Sequence, residues 1–318
     1  MSALATPARP ARPPTGGELA ARIQIPRRLP IRYDGERLAH LSHSSYSKFL
    51  LCPDDWRRHY LLGERTPPSG HMFLGARVDD ALSTYHRHLL ACGERLTLDQ
   101  LQDAYRDHWA RELAAEHAQR GVLWDTELDE AAAFTMGLQA LALTFRELIP
   151  LLGRPVDVQR ELDYALAPGL EWTIQGFLDL ETLRPGDDRG SELVPAIVDY
   201  KVKTTLHSQA KADHDPQAGL YLAGRWLTGA PAEHFCFAQI GKPGRKRKTM
   251  NTSFVVTRRT PAQLRTTLVR IAQAASQITA LYERYGPDEP WGFADPSGWK
   301  CSARYCGHYK RCPGGGGI

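Results

Sequence analysis

Two short apolar runs, Gly176-Phe177-Leu178-Asp179-Leu180 and Ile197-Val198-Asp199-Tyr200-Lys201, each place an acid inside a segment that has to be partly buried. Both are bounded by turn residues and have the length of strands of one sheet. Side chains alternate along a strand. Asp199 and Lys201 therefore share one face, with Val198 and Tyr200 on the other. Across 172–180 the same alternation sets Phe177 and Asp179 opposite Ile174, Leu178 and Leu180. A carboxylate in such a strand is costly to bury without a partner. Two carboxylates and a lysine on one side of a sheet would be satisfied by a divalent cation, with the lysine placed to hold or deprotonate a water beside it. Asp-x-Lys by itself fits a surface salt bridge equally well; the apolar flanks and the second acid favour the site.

The remaining composition narrows the field without deciding it. The chain has 318 residues, enough for one large domain or two small ones, with 42% hydrophobic and 24% charged residues. No apolar run reaches the roughly 18 residues of a membrane span, and no secretory signal is evident, so a cytoplasmic protein is expected. The net charge of +4 permits a polyanionic partner without requiring one. A disulfide framework is not expected in such a chain.

Residues 1–40 read as a disordered basic tail rich in Ala, Arg and Pro, followed by a folded domain over 41–313 and a short disordered end at 314–318. Ser42 or Ser44 can cap a first helix, and Pro53 interrupts it just after Cys52. Long helical stretches follow at about 72–90, 98–119 and 127–152, a helical insertion that serves as scaffold. On the first of these Asp79 shares a face with Gly75, Val78 and Leu82, either as a solvated edge residue or as another acid aimed at the cation. His86, His88, His108 and His117 are read as surface residues. Strands occupy 156–200, with Glu161 and Asp163 on a polar face. A helix over 213–227 carries Gln217 and Tyr221 one turn apart; the plain alternative is a helix–sheet contact. A strand pair at 235–240 and 253–256 flanks a connection carrying Lys242, Arg245, Lys246, Arg247 and Lys248, suited to phosphate contacts or simply solvated. Thr260 caps a last helix to about 285, with Pro261 at its first position.

Cys301, Cys306 and Cys312 crowd into twelve residues, with four residues in the first gap and five in the second. Three thiolates leave a four-ligand site one short, and Cys52 can supply the fourth. The rival is zinc held by the same three cysteines and His308. Spacing alone does not separate the two.

Read together, these residues resemble the RecB-like branch of the PD-(D/E)XK nuclease superfamily, and more closely its iron–sulfur exonucleases: the CRISPR-associated Cas-four type, the AddB nuclease domain and small phage relatives. The resemblance covers about residues 41–313. It rests on Leu41-Ser42-His43-Ser44 leading to Cys52-Pro53, on Gly176-Phe177-Leu178-Asp179, on Ile197-Val198-Asp199-Tyr200-Lys201, on Gln217 and Tyr221, and on Cys301, Cys306 and Cys312. It implies an α/β (α+β) restriction-endonuclease-like core, a central mixed sheet flanked by helices, with a helical N-terminal region and a C-terminal cysteine segment at 299–313.

The resemblance further implies that Asp179, Asp199 and the Tyr200 carbonyl ligate Mg2+ or Mn2+. Lys201 would position or activate water, Gln217 and Tyr221 would line the site and contact DNA, and Cys52, Cys301, Cys306 and Cys312 would hold a 4Fe-4S cluster. Glu161 lies where relatives often carry an acid. Asp79 stands where the family's early helix carries histidine; aspartate is the harder ligand, so the site would favour Mg2+ over Mn2+ or be weaker. The activity implied is a metal-dependent DNA exonuclease of recombination, repair or phage DNA processing, acting on single-stranded DNA or on duplex with ends. The alternatives are a structure-specific or restriction-type endonuclease, or an inactive DNA-binding module. No Gly-x-x-x-x-Gly-Lys-Ser/Thr loop is present, so a helicase or recombination protein would be a partner.

Overall fold

The structure, a computed structural model, describes residues 24–126, 128–186, 192–244 and 247–315. Its frame is one six-stranded mixed sheet. The strands are β1 (His40–Leu41), β2 (Arg154–Tyr164), β3 (Thr173–Pro185), β4 (Leu193–Lys203), β5 (His234–Gly241) and β6 (Asn251–Thr257). They run in the order β1-β3-β4-β5-β6, with β2 on β3's other edge. β3 is antiparallel to β2 and β4, β4 is parallel to β5, and β5 is antiparallel to β6. This is the mixed α/β architecture expected for a restriction-endonuclease-like core.

The helices are α1 (His43–Leu51), α2 (Pro53–Trp56), α3 (Gly70–Cys92), α4 (Leu98–Gln119), α5 (Glu130–Leu143), α6 (Gln209–Asp213), α7 (Pro216–Leu227) and α8 (Pro261–Tyr285). Ser42, Ser69, Thr97, Asp129, Asp215 and Thr260 start six of them by accepting a hydrogen bond from a first-turn backbone N–H. Helix α7 thus begins on the Asp215 cap, with α6 a separate turn. The helix expected over 127–152 is regular only to Leu143; a wider π turn over Thr144–Leu148 and a tighter turn over Ile149–Leu151, begun with Pro150, follow.

Two hydrophobic cores lie on the two sides of the sheet. Val78, Leu82 and Tyr85 of α3 pack with Ala196, Val198 and Tyr200 of β4 on one side. Ile197 and Phe235 pack with Leu220 of α7 and Leu268 of α8 on the other. Strict alternation fails at one place that matters. Leu178 joins the α7–α8 core, yet Leu180, two residues on, joins the α3 core. Gln159 falls opposite the intervening Asp179, between the pairs Arg160–Leu178 and Val158–Leu180. It has φ 52°, the one left-handed backbone among the described non-glycine residues. The two strands change face together at Asp179.

The expected boundary at residue 41 is corrected. Residues 24–40 are packed: Leu29 and Leu38 are buried in the α7–α8 core, and the Trp172 indole donates to the Pro26 carbonyl at 2.8 Å. Charge and proline masked two apolar anchors. The rest of the expected tail, 1–23, and the last residues, 316–318, lie outside the described residues. Leu29→Ala should therefore destabilise the protein by about 2–4 kcal/mol in urea unfolding, as for a core leucine; a change within about 0.5 kcal/mol would return this stretch to the tail.

Candidate active site

Strands β3 and β4 pair from Pro185–Leu193 up to Leu180–Val198 and then part. Beyond that point β4 stays paired with β5 but loses its neighbour on the β3 side, and a side chain takes over: the Tyr200 N–H donates to Asp179 Oδ2 at 2.9 Å. The parting opens a cleft, and the acid on β3 becomes the link across it.

Asp199 is 2% exposed. Its Oδ1 accepts from Lys201 Nζ at 2.8 Å and from Gln217 Nε2 at 2.7 Å. Its Oδ2 is buried with no partner. Gln217 reaches it because Asp215 caps α7 one residue upstream, accepting from the Gln217 N–H at 2.8 Å. One turn on, the Tyr221 ring lies against Gly176, where a Cβ would come within 2.7 Å of it. Gly176 is thus fixed by the close approach of α7 to β3.

Asp79 comes to the same place from α3. Its Oδ2 accepts from Gln159 Nε2 at 2.9 Å, and its Oδ1 is buried without a partner. Gln159 also contacts Ser83 Oγ at 3.0 Å, one helical turn along. Asp79 is half-buried and its carboxyl feels the charge of Asp199, so it is not a solvated edge residue. Sequence reasoning missed Gln159; nothing in Val158-Gln159-Arg160 marks it, because its role comes from a backbone turn.

Burial raises all three carboxyl pKa values, and mutual repulsion adds to it. Asp79 is pushed up to about 6 by burial, then by the charges of Asp80 and Asp199. Asp179 is held well above the usual range by burial, Asp199 and Asp79. Burial also raises Asp199, against the pull of Lys201. Burial alone would lower the Lys201 ammonium, but Asp199 and Asp179 outweigh it and leave it raised. Lysine is therefore a held cation here and not a free base at neutral pH. Among the described residues no three His, Cys, Asp or Glu side chains converge tightly enough to cage an ion as they stand. The donor chemistry nonetheless fits a hard divalent cation: three acids that repel one another and two buried carboxylate oxygens without a hydrogen bond.

Other expected residues are placed differently. Glu161 is exposed, and its contact is Gln175 at 3.5 Å. It stands two residues nearer the mouth than Gln159, beside Phe177. His86 is buried, not at the surface: its Nε2 lies 2.7 Å from the Tyr200 hydroxyl, and burial lowers its pKa to about 4. It is seven residues from Asp79 on the same helix, and it ties α3 to β4. In the basic connection, Lys242 is buried, with Nζ 2.9 Å from His71 Nδ1. Arg247 donates to the carbonyls of Thr204 and Lys242. Lys242 faces inward, whereas Arg247 is half-buried and spends its Nη2 on those carbonyls. Lys248 is exposed, and Arg245 and Lys246 lie outside the described residues.

Cys52, Cys301, Cys306 and Cys312 line one small cavity together with Phe293 and Tyr309. Cys52 also caps α2, accepting from the Asp55 N–H at 3.4 Å. His308 is not part of that wall. Its Nδ1 lies 3.3 Å from Glu64 and its Nε2 3.7 Å from Asp55. Among the described residues neither the four cysteines nor the three with His308 converge tightly enough to hold a metal as they stand.

A raised carboxyl pKa sets the sign of a pH effect. Below about pH 4 Asp79 is protonated in both the folded and the unfolded chain, and nothing is lost. As pH rises through 4 to 6 the unfolded chain releases the proton first, so the metal-free fold loses stability, roughly 3 kcal/mol for a pKa near 6. In EDTA, Asp79→Asn should match the wild type near pH 4 and exceed it by up to that amount at pH 7. A stability difference independent of pH would contradict this assignment.

No curated protein matches this chain. Among solved structures it is similar to a candidate exonuclease from Eubacterium rectale, at 15% identity and a TM-score of 0.50, covering 82% of this chain and 86% of that one. It also matches the crystal structure of SSO0001 at 18% identity and a TM-score of 0.30, over 76% of this chain and 98% of the other. At these identities the first likeness speaks to fold alone, and the second carries no argument. A sequence-family model of the PD-(D/E)XK nuclease superfamily matches residues 40–313. With that match spanning most of its length, the chain belongs to the PD-(D/E)XK nuclease superfamily.

Proposed function

We propose that this nuclease is a Mg2+- or Mn2+-dependent DNA exonuclease of the RecB-like branch, with Asp79, Asp179, Asp199 and the Tyr200 carbonyl as cation ligands. The observation that carries the metal assignment is the pair of buried, unpartnered oxygens, Asp79 Oδ1 and Asp199 Oδ2. A bound divalent cation supplies neutralisation of charge on the scissile phosphate and a more acidic water. The chain's own groups do the rest. Lys201, a cation clamped at 2.8 Å on Asp199, orients the attacking water and offsets charge on the phosphate. Gln217 holds Asp199 in one rotamer through its 2.7 Å bond. Tyr221, its hydroxyl pushed up to about 12 chiefly by burial and then by Asp199 and Asp179, stays protonated and donates towards substrate. Glu161 is left out of the ligand set because it is exposed and turned to Gln175.

The exonuclease reading, the recombination or repair setting and the iron–sulfur type rest on the resemblance. The cysteine site receives support from the shared cavity. Cys306 also feels the charge of Cys52, more than 200 residues away in sequence. The cluster is proposed as a staple with no redox role, since phosphodiester hydrolysis transfers no electrons.

Purified wild type should shorten linear DNA from its ends in Mg2+ or Mn2+ and leave closed circular DNA intact. Asp199→Ala and Lys201→Ala should each lose at least about 100-fold in rate. Cleavage of closed circles would establish the endonuclease instead. Anaerobically purified protein should contain about four irons per chain and be brown; one zinc per chain and no colour would refute the cluster.

A further inference from the structure

The parting of β3 and β4 leaves a cleft of about 620 Å3, within the size range of pockets that enclose small ligands. Its floor is the open edge of β3. On that edge β1 pairs with Thr173 and Ile174, and β4 pairs from Leu180 onward. On this edge residues 175–179 between them have no strand beside them among the described residues, while β2 covers their other edge. One wall carries positive charge. Lys201 and Lys203 point into the cleft from one face of β4, with His43 and His207 beside them. Lys203 Nζ lies 2.9 Å from His207 Nε2, and burial keeps that imidazole neutral at pH 7, so it accepts from the lysine. The acid in the lining, Asp215, is engaged in capping α7.

The other wall holds Phe177, which is 56% exposed and belongs to neither core. An aromatic ring left in water beside a basic cleft has one physical use that its neighbours cannot supply: an apolar face for a nucleobase. Its position fits. Phe177 precedes Asp179 by two strand residues, about 6.8 Å along β3, a separation on the scale of one nucleotide unit. A phosphodiester presented to the acids thus has its neighbouring base within reach of the ring. An interior base pair has both faces covered by its stacked neighbours, so the ring favours a base that has left the duplex stack.

We propose that Phe177 is a stacking platform for the unpaired base next to the scissile phosphate, so that the cleft takes single-stranded DNA. This rests on the nuclease reading above, which names neither strand preference nor any role for Phe177.

The test is equilibrium binding of the full chain to a short single-stranded DNA in EDTA, followed by fluorescence anisotropy, with the oligonucleotide intact or made abasic at successive positions near either end. Phe177→Ala should weaken binding about 10-fold and Phe177→Tyr by less than threefold, the range expected for loss or retention of one stacked base. At one position the abasic DNA should bind wild type as weakly as Phe177→Ala binds intact DNA, with no further loss when the two are combined. Because the ring is exposed, the alanine variant should melt with the wild type, which separates lost stacking from lost folding. Unchanged affinity in Phe177→Ala, or equal weakening on intact and abasic DNA at every position, overturns the assignment even if the protein cleaves DNA. The expected coupling without cleavage in Mg2+ or Mn2+ would instead leave the platform standing and remove the exonuclease.

Discussion

The bond from the Tyr200 N–H to Asp179 Oδ2 is the constraint on which the site depends. A strand that leaves its neighbour exposes backbone groups, and buried ones have to be satisfied. Here an acid from the strand left behind accepts the donor. That fixes Asp179 beside Asp199, holds the β3–β4 fork open, and creates the cleft and the free edge of β3. The left-handed Gln159 belongs to the same event. It sits opposite Asp179, lets β2 and β3 change face together, and sends its amide to Asp79. Strain in the backbone is placed where it gathers acids from three elements.

The gathering works against stability. Three buried carboxyls with raised pKa values resist being ionised together, and one lysine does not cancel them. The fold tolerates this because the elements that carry the acids are anchored elsewhere. Helix α3 is held by its own core and by His86 on Tyr200, and α7 by a nearly continuous buried face. At the far end, Asp54 receives Arg57, Arg58 and the Trp291 N–H, while Asp55 meets Lys48 and Lys300. Trp56 stacks on Trp291 at 5.7 Å. The segment bearing Cys52 is therefore bound to the C-terminal segment by charge and aromatic packing.

Much of this was legible in the sequence because the acids interrupt apolar runs, and such interruptions need a reason. Asp179, Asp199, Lys201, Gln217 and Tyr221 stood out by spacing; Lys201, Gln217 and Tyr221 line the cleft, and Asp199 is buried behind them, bonded to Lys201 and Gln217. What failed to show was set by tertiary geometry. Strict alternation along β3 could not foresee the change of face at Asp179. Gln159 looks like any polar strand residue. His86 lies in a polar stretch of α3 and is buried only because Tyr200 arrives over it. Leu29 and Leu38 were hidden among arginines and prolines. Lys242 and Arg247 read as a charged loop, although one is buried and the other is spent on carbonyls.

The central claim is that these acids form one site completed by a divalent cation. Titrating the protein with Mn2+ at pH 7, and following free Mn2+ by electron paramagnetic resonance, measures this without relying on catalysis. The account predicts saturable binding in the wild type that is lost in both Asp179→Asn and Asp199→Asn. Binding of equal strength in the wild type and both variants would contradict it.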